Sequence, residues 1–343
     1  MTQATLQSLI PEAKLEAVEK ALQTTFNTKT VESIELLTGG LSSALVYKII
    51  VNGKAYVLRI VIQIDELSDP VRQYICMNIA AEAGIAPIVY YTNAVDAVSI
   101  TDFIRTISLS EHFGSPDNFL PELANVVKSI HSLPIFPKIV NFLDGIDLFI
   151  QQFQALEFLP ASAIEEHLRY YLEIQQFYPR YDTDVVASHN DLNPNNILFD
   201  GKKIWLIDWE VAFQNDRYVD LANVANYFMT NAAQAEIYLR SYFGDSLDDY
   251  KRARFFLMQQ VCQIFYAIVF LKLAAASWPE NLPIEYSMVV PSLKEFQQQL
   301  RTDKVILTTH EGQLLYGKIR LNQALYNMKT ARFAKSIKII RNS

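Results

Sequence analysis

The chain has 343 residues, 50% of them hydrophobic and 20% charged, with 30 Lys and Arg against 37 Asp and Glu for a formal charge of −7. That apolar fraction excludes a disordered or collagen-like chain, and the acidic balance argues against a nucleic-acid partner. Two cysteines in so long a chain, Cys76 and Cys262, lack metal-ligand neighbours at the usual spacing and predict buried, inert thiols in a reducing, cytoplasmic setting.

The length suits two domains. The opening residues lack a basic region followed by an apolar run, so no secretory leader is expected. Helical spacing of Leu15, Val18 and Leu22 predicts a first helix over 11–24. Strands are predicted at 34–37, 46–51 and 55–62, the last two joined by Asn52-Gly53, whose tolerance of positive φ marks a tight hairpin. Pro70 opens and Gly84 closes a predicted helix over 70–83, and strands follow at 88–91 and 97–102.

Beyond a connection at 101–110 the pattern turns helical, over 121–132, 147–156, 161–177, 220–229, 250–277 and 292–301, with one more helix from 313 onward. The most apolar stretch, 255–276, is broken by Gln259, Gln260, Gln263 and Lys272, which predicts a buried helix and no membrane span. One β-island interrupts the helices. Residues 197–199 and 204–207 are short apolar runs joined through Asp200-Gly201.

That island carries the chemistry. It reads Ser188-His189-Asn190-Asp191-Leu192-Asn193-Pro194-Asn195-Asn196 before the hairpin and Ile207-Asp208-Trp209-Glu210 after it. Folding at Asp200-Gly201 brings Asn196 roughly opposite Asp208, with Asp191 on the loop just before. Two carboxylates and an amide oxygen at one strand end suit a hard, oxygen-liganded cation such as Mg²⁺, and a further acid held off the metal can accept a hydroxyl proton.

His-Asn-Asp, an Asn five residues after the Asp, and Ile-Asp-Trp-Glu beyond a short hairpin resemble the choline kinase and aminoglycoside phosphotransferase family, with the Asn after His and the closing Trp-Glu closer to the choline kinase branch. The resemblance extends to Thr38-Gly39-Gly40, to residues 82–87 and 130–134, and to Asn215-Asp216 with Asp220-Leu221-Ala222. It implies an α+β, two-lobed protein-kinase-like fold. A nucleotide-binding lobe at 1–104 would hold a small antiparallel sheet with one main helix, and a mostly helical catalytic and substrate lobe would follow at 105–343.

The implied cofactors are ATP and Mg²⁺, and the implied partner is a small molecule bearing a hydroxyl group. Asp191 would be the catalytic base, Asn196 and Asp208 the Mg²⁺ ligands, Glu210 a support for the metal or its waters, and His189 a brace for the catalytic loop. In the small lobe, Gly39 and Gly40 would let the backbone approach the phosphates, Ser42 and Ser43 would donate to phosphate oxygens, and Arg59 would replace the lysine of protein kinases.

Three departures stand out. Residues 70–81 contain no acidic partner for Arg59, leaving either Gln73 as a neutral partner or a pairing of Arg59 elsewhere; Ser42-Ser43 replaces the Thr-Asn often seen in choline kinases; and Val211 and Tyr227 stand where that branch tends to place amine-contacting Tyr and Glu. An amino alcohol such as choline or ethanolamine is the first expectation for the acceptor, an aminoglycoside or amino sugar the second, and an ATP-binding pseudokinase the third reading. Tyr227, Phe228, Phe265, Tyr266, Trp278 and Tyr286 are candidates for an aromatic cage, and Glu165, Glu166, Asp182, Asp184, Asp245, Asp248 and Asp249 for an acidic cleft. The basic tail after Glu311 is expected to dock on the protein's own body. Nothing in the chain sets an oligomeric state.

Overall fold

Period-two burial builds the sheet of the N-terminal third, in a computed structural model that describes residues 3–37, 44–64, 68–181, 184–302 and 304–343. The chain forms two units, each discontinuous in sequence: Met1–Lys138 with Val186–Gln214, and Ile139–Val185 with Asn215–Ser343. The lobes expected at 1–104 and 105–343 are a division by function; compactness divides the chain elsewhere, because residues 186–214 bond back to the N-terminal segment.

The first unit opens with α1 (Gln3–Leu9) and α2 (Glu12–Phe26), then β1 (Ser33–Leu36), β2 (Leu45–Val51), β3 (Lys54–Ile60), α3 (Pro70–Glu82), β4 (Val89–Asn93), β5 (Val98–Asp102), α4 (Leu109–Phe113) and α5 (Pro116–Ile130). The five strands make one antiparallel sheet in the order β1-β2-β3-β5-β4. Tyr47, Ile49 and Val51 of β2 and Tyr56, Leu58 and Ile60 of β3 bury one face, in a core shared with Val18, Ala21 and Leu22 of α2. Between β2 and β3 both Asn52 (φ 51°) and Gly53 (φ 72°) are left-handed, as the Asn-Gly turn requires. The predicted sheet and main helix of an α+β, kinase-like fold are therefore present.

The unit is completed by β6 (Val185–Ser188), β7 (Ile197–Phe199), β8 (Ile204–Leu206) and β9 (Phe213–Asp216). β7 and β8 pair as a hairpin, and β6 pairs with β9 where the chain passes between the units. The hairpin is tied to the N-terminal segment through its backbone: Leu206 N–H donates to Ile85 O at 2.9 Å, and Ile107 N–H to Phe199 O at 2.8 Å.

The second unit is helical: α6 (Phe142–Ala155), α7 (Ala161–Phe177), α8 (Arg217–Phe228), α9 (Ala232–Phe243), α10 (Asp249–Ser277), α11 (Leu293–Arg301), α12 (His310–Met328) and α13 (Ala331–Arg341). By length and composition α10 could cross a membrane, yet 67% of its most apolar window is buried inside the protein, and it packs on α6, α8, α12 and α13. The predicted C-terminal helix is two helices. α13 buries Phe333, Ile337 and Ile340, while Lys329 pairs with Glu166 at 2.7 Å and Arg332 lies over the Phe256 ring. The basic tail docks on its own unit, as expected. α5 and α6 each start five residues earlier than predicted: α5 begins at Pro116 and carries Pro121 inside, and α6 begins at Phe142 because Asn141 caps Leu143 N–H and Asp144 N–H.

The crossing of α10 and α12 depends on Gly317. A β-carbon there would lie 2.6 Å from Leu271 Cγ and 3.0 Å from Ala267 O, both in the core of α10. Gly317→Ala should therefore lower stability by about 1–3 kcal/mol through overpacking despite its helix propensity. Urea unfolding checks this; an unchanged midpoint would show that the helices can separate at no cost.

Candidate active site

The hairpin register sets the site. Ile197 pairs with Leu206 and Phe199 with Ile204, and Ile207 N–H donates to Asn196 O at 3.1 Å. Asn196 thus faces Ile207, and Asp208 follows one residue on. The turn is held by Asp200, whose Oδ1 accepts from Lys202 and Lys203 N–H and whose Oδ2 accepts from Trp205 Nε1.

Asp191 is oriented from both sides. Its Oδ2 accepts from Asn193 Nδ2 and from Asn196 Nδ2, each at 3.0 Å, and Asn196 Nδ2 also donates to Asp191 O at 2.9 Å. His189 is fully buried against Trp209, with ring centroids 4.7 Å apart. Its Nδ1 accepts from Asp191 N–H at 3.4 Å and its Nε2 donates to Ile207 O at 2.9 Å, so one ring links the Asp191 loop to the hairpin end. Asn190 holds a left-handed backbone (φ 68°), and its Nδ2 donates to Val211 O at 2.9 Å. Asp208 shares that unusual conformation at φ 63°, a concentration of strain typical of functional loops.

Three carboxylates gather here with two guanidinium groups, those of Arg59 and Arg72. Arg59 Nη2 lies 3.1 Å from Asp208 Oδ1 and 2.5 Å from Glu210 Oε2. Gln73 is buried, but its Oε1 has no partner among the described residues, so the neutral pairing foreseen for Arg59 does not form. Ser68 Oγ donates to Glu210 Oε1 at 2.6 Å, and Arg72 Nη2 donates to Glu210 O at 2.7 Å. Burial pushes the Asp208 carboxyl above the usual carboxylate range, the Glu210 and Asp191 charges push the same way, and Arg59 opposes them.

Asp208 Oδ1, which lies 3.1 Å from Arg59 Nη2, and Arg59 Nη1 are among the buried atoms with no hydrogen-bond partner among the described residues. One is an acceptor suited to a hard cation and the other a donor suited to a phosphate. The described residues contain no cluster of three or more His, Cys, Asp or Glu ligands. A carboxylate and an amide oxygen completed by water and phosphate is the usual magnesium arrangement, so the donor set fits the ion. Gly39, Gly40, Ser42 and Ser43, expected around the phosphates, lie outside the described residues, as does Asp182.

Both cysteines are buried, and burial lifts the Cys76 thiol to about 12, consistent with inert thiols. In the second unit Tyr227 and Tyr266 meet at 6.1 Å, and Phe265 contacts Phe142, Phe149 and Tyr266. Trp278 packs on Phe158 and His310 instead, and Tyr286 is half exposed. The face of Tyr227 is covered by the buried Arg320, 4.8 Å from its centroid. Several acids of the expected cleft have cation partners: Glu166 with Lys329, Asp184 with Arg217, and Asp248 with Lys251.

Sequence reasoning missed Ser68 and Arg72. Their contacts with residue 210 span 142 and 138 positions, and neither residue belongs to a motif. His189→Leu removes two backbone partners from the loop and should cost about 1–3 kcal/mol for each polar group left buried. Denaturant unfolding checks this, and stability equal to wild type would remove the brace.

Residues 33–256 match the phosphotransferase enzyme family. Proteins described as LicA homologues from Metamycoplasma hominis and Mycoplasma capricolum are each 27% identical, over 136 residues (40% of this chain, 50% of theirs) and 135 residues (39% and 53%). The chain thus spans about half the length of these curated relatives. A choline/ethanolamine kinase family protein from Mesorhizobium loti superposes with a TM-score of 0.69 at 21% identity, covering 96% of this chain and 100% of that one. Choline kinase LicA from Streptococcus pneumoniae does so at 0.61 and 16% identity, covering 91% and 98%. These superpositions are likenesses of fold. The family match covers well over half of the sequence and includes Asp191, Asn196, Asp208 and Glu210; this chain belongs to the phosphotransferase enzyme family.

Proposed function

We propose that the protein is an ATP- and magnesium-dependent kinase that moves the γ-phosphoryl group to a hydroxyl of a small metabolite, with an amino alcohol such as choline or ethanolamine as the acceptor. The observation that carries the reading is Asp191 fixed by two amides, beside a hairpin end that offers Asn196 and Asp208 and is met by Arg59 from β3. The kind of acceptor rests on the kinship with proteins described as choline or ethanolamine kinases.

Phosphoryl transfer asks a protein for position and charge neutralisation more than for covalent chemistry. Asp191 accepts the proton of the acceptor hydroxyl as that oxygen attacks the γ-phosphorus and ADP leaves. Asn193 and Asn196 keep the carboxylate turned to one rotamer, and His189 holds the backbone beneath it. Asn196 and Asp208 would hold magnesium, which neutralises charge on the phosphate oxygens. Arg59 supplies a fixed cation with donors suited to a phosphate.

The test is an ADP-release screen over choline, ethanolamine, amino sugars and aminoglycosides, with Asp208→Asn as the blank. Asp191→Ala should lower kcat by roughly 10²–10⁴-fold while the protein stays folded. Undiminished turnover in that variant would sink its role. Turnover of an aminoglycoside with none of choline would move the acceptor assignment and leave the kinase standing.

A further inference from the structure

A cation on the third strand of such a sheet needs an anionic partner to hold its rotamer, and α3 offers none: its one acidic residue, Glu82, is the last of the helix and exposed. Glu210 meets Arg59 instead. The two side chains retain only 12% and 14% of their exposure, Arg59 Nη2 sits 2.5 Å from Oε2, and Ser68 Oγ donates to Oε1 at 2.6 Å. Both oxygens of the carboxylate are therefore engaged by the protein. Arg72, from the first turn of α3, holds the Glu210 backbone through its carbonyl oxygen at 2.7 Å. A carboxylate so enclosed has little left to offer a cation, whereas Asp208 Oδ1 makes no hydrogen bond among the described residues and meets only the same Arg59 Nη2, at 3.1 Å.

We propose that Glu210 is a positioning residue for Arg59 and not a ligand of the metal, and that Ser68 and Arg72 complete the clamp. Fixed through Nη2, the guanidinium keeps Nη1, a buried donor with no partner among the described residues, directed at an anionic group of the nucleotide. The inference rests on the kinase reading above and deepens it, because it divides the acidic hairpin end into one residue for the cation and one for the strand. It also assigns Ser68 a part in nucleotide affinity that its place outside any motif conceals.

The experiment combines three readouts. In steady-state kinetics Glu210→Gln should raise KM for ATP about tenfold and Ser68→Ala about threefold, with kcat changing much less, as loss of charge-assisted bonds to a binding group predicts; Ser68→Thr should restore the wild-type value. Mn²⁺ binding to the nucleotide-free protein, followed by electron paramagnetic resonance, should be lost in Asp208→Asn and stay within about threefold of wild type in Glu210→Gln. A Glu210→Gln protein that loses Mn²⁺ as Asp208→Asn does would overturn the proposal. Should the wild type turn over no ATP at all, the kinase reading falls, and a double-mutant cycle in urea still decides the clamp. Arg59→Gln combined with Glu210→Gln should then be no less stable than the weaker single variant; additive losses would show that the two side chains do not act as a pair.

Discussion

Like charges brought together must be balanced, and that requirement organises the first unit. Asp191, Asp208 and Glu210 converge at one hairpin end, where burial already disfavours a charged Asp208. The Arg59 guanidinium from β3, within ion-pair distance of two of the three, is a counter-charge the chain supplies for itself, and the buried Arg72 adds a second beside Glu210. Arg59 also ties the N-terminal sheet to residues about 150 positions away, so the electrostatics of the site and the assembly of the unit are one problem. The rest of the balance is left to whatever cation and phosphate the site takes up.

Much of this was legible in the sequence where chemistry is local. Asn52-Gly53 announced its hairpin because both residues tolerate positive φ, and the spacing of Asp191, Asn196 and Asp208 around Asp200-Gly201 placed the loop and strand end correctly. What failed was of two kinds. α9 has Ala235, Tyr238, Leu239 and Tyr242 buried at helical spacing behind an Asn231 cap, a signal the sequence carries; in α5 two prolines compete for the first position, and Pro116 holds it, not Pro121. The partner of Arg59 was a different matter. Absence of an acid in 70–81 was visible, but nothing local says that Glu210 fills the need, since pairing over 151 residues is a property of the fold. The roles given to Gly39, Gly40, Ser42 and Ser43 stay with the sequence.

The second unit contains an unusual counterpart. Arg320 is fully buried in α12, with Nη1 donating to Gln263 Oε1 at 2.9 Å and Nε to Tyr316 OH at 2.7 Å, and with the rings of Tyr227 and Tyr316 each 4.8 Å from its centre. No carboxylate lies within ion-pair distance of it among the described residues. Ring faces and neutral acceptors thus bear a charge that would ordinarily call for an acid. Of the aromatic residues that might greet a cationic acceptor, Tyr227 already serves a cation of the protein's own on one face.

The interleaving of the two units has a consequence for synthesis. Residues 1–138 emerge from the ribosome first, but the hairpin that bonds to Ile85 and Ile107 follows only after the intervening stretch of the other unit has been made. Until then the segments around Ile85 and Ile107 lack these partners, and a nascent chain stalled before residue 214 exposes surface that the finished protein covers. Closing such a long loop slows folding and lengthens the interval in which a half-made chain stays exposed.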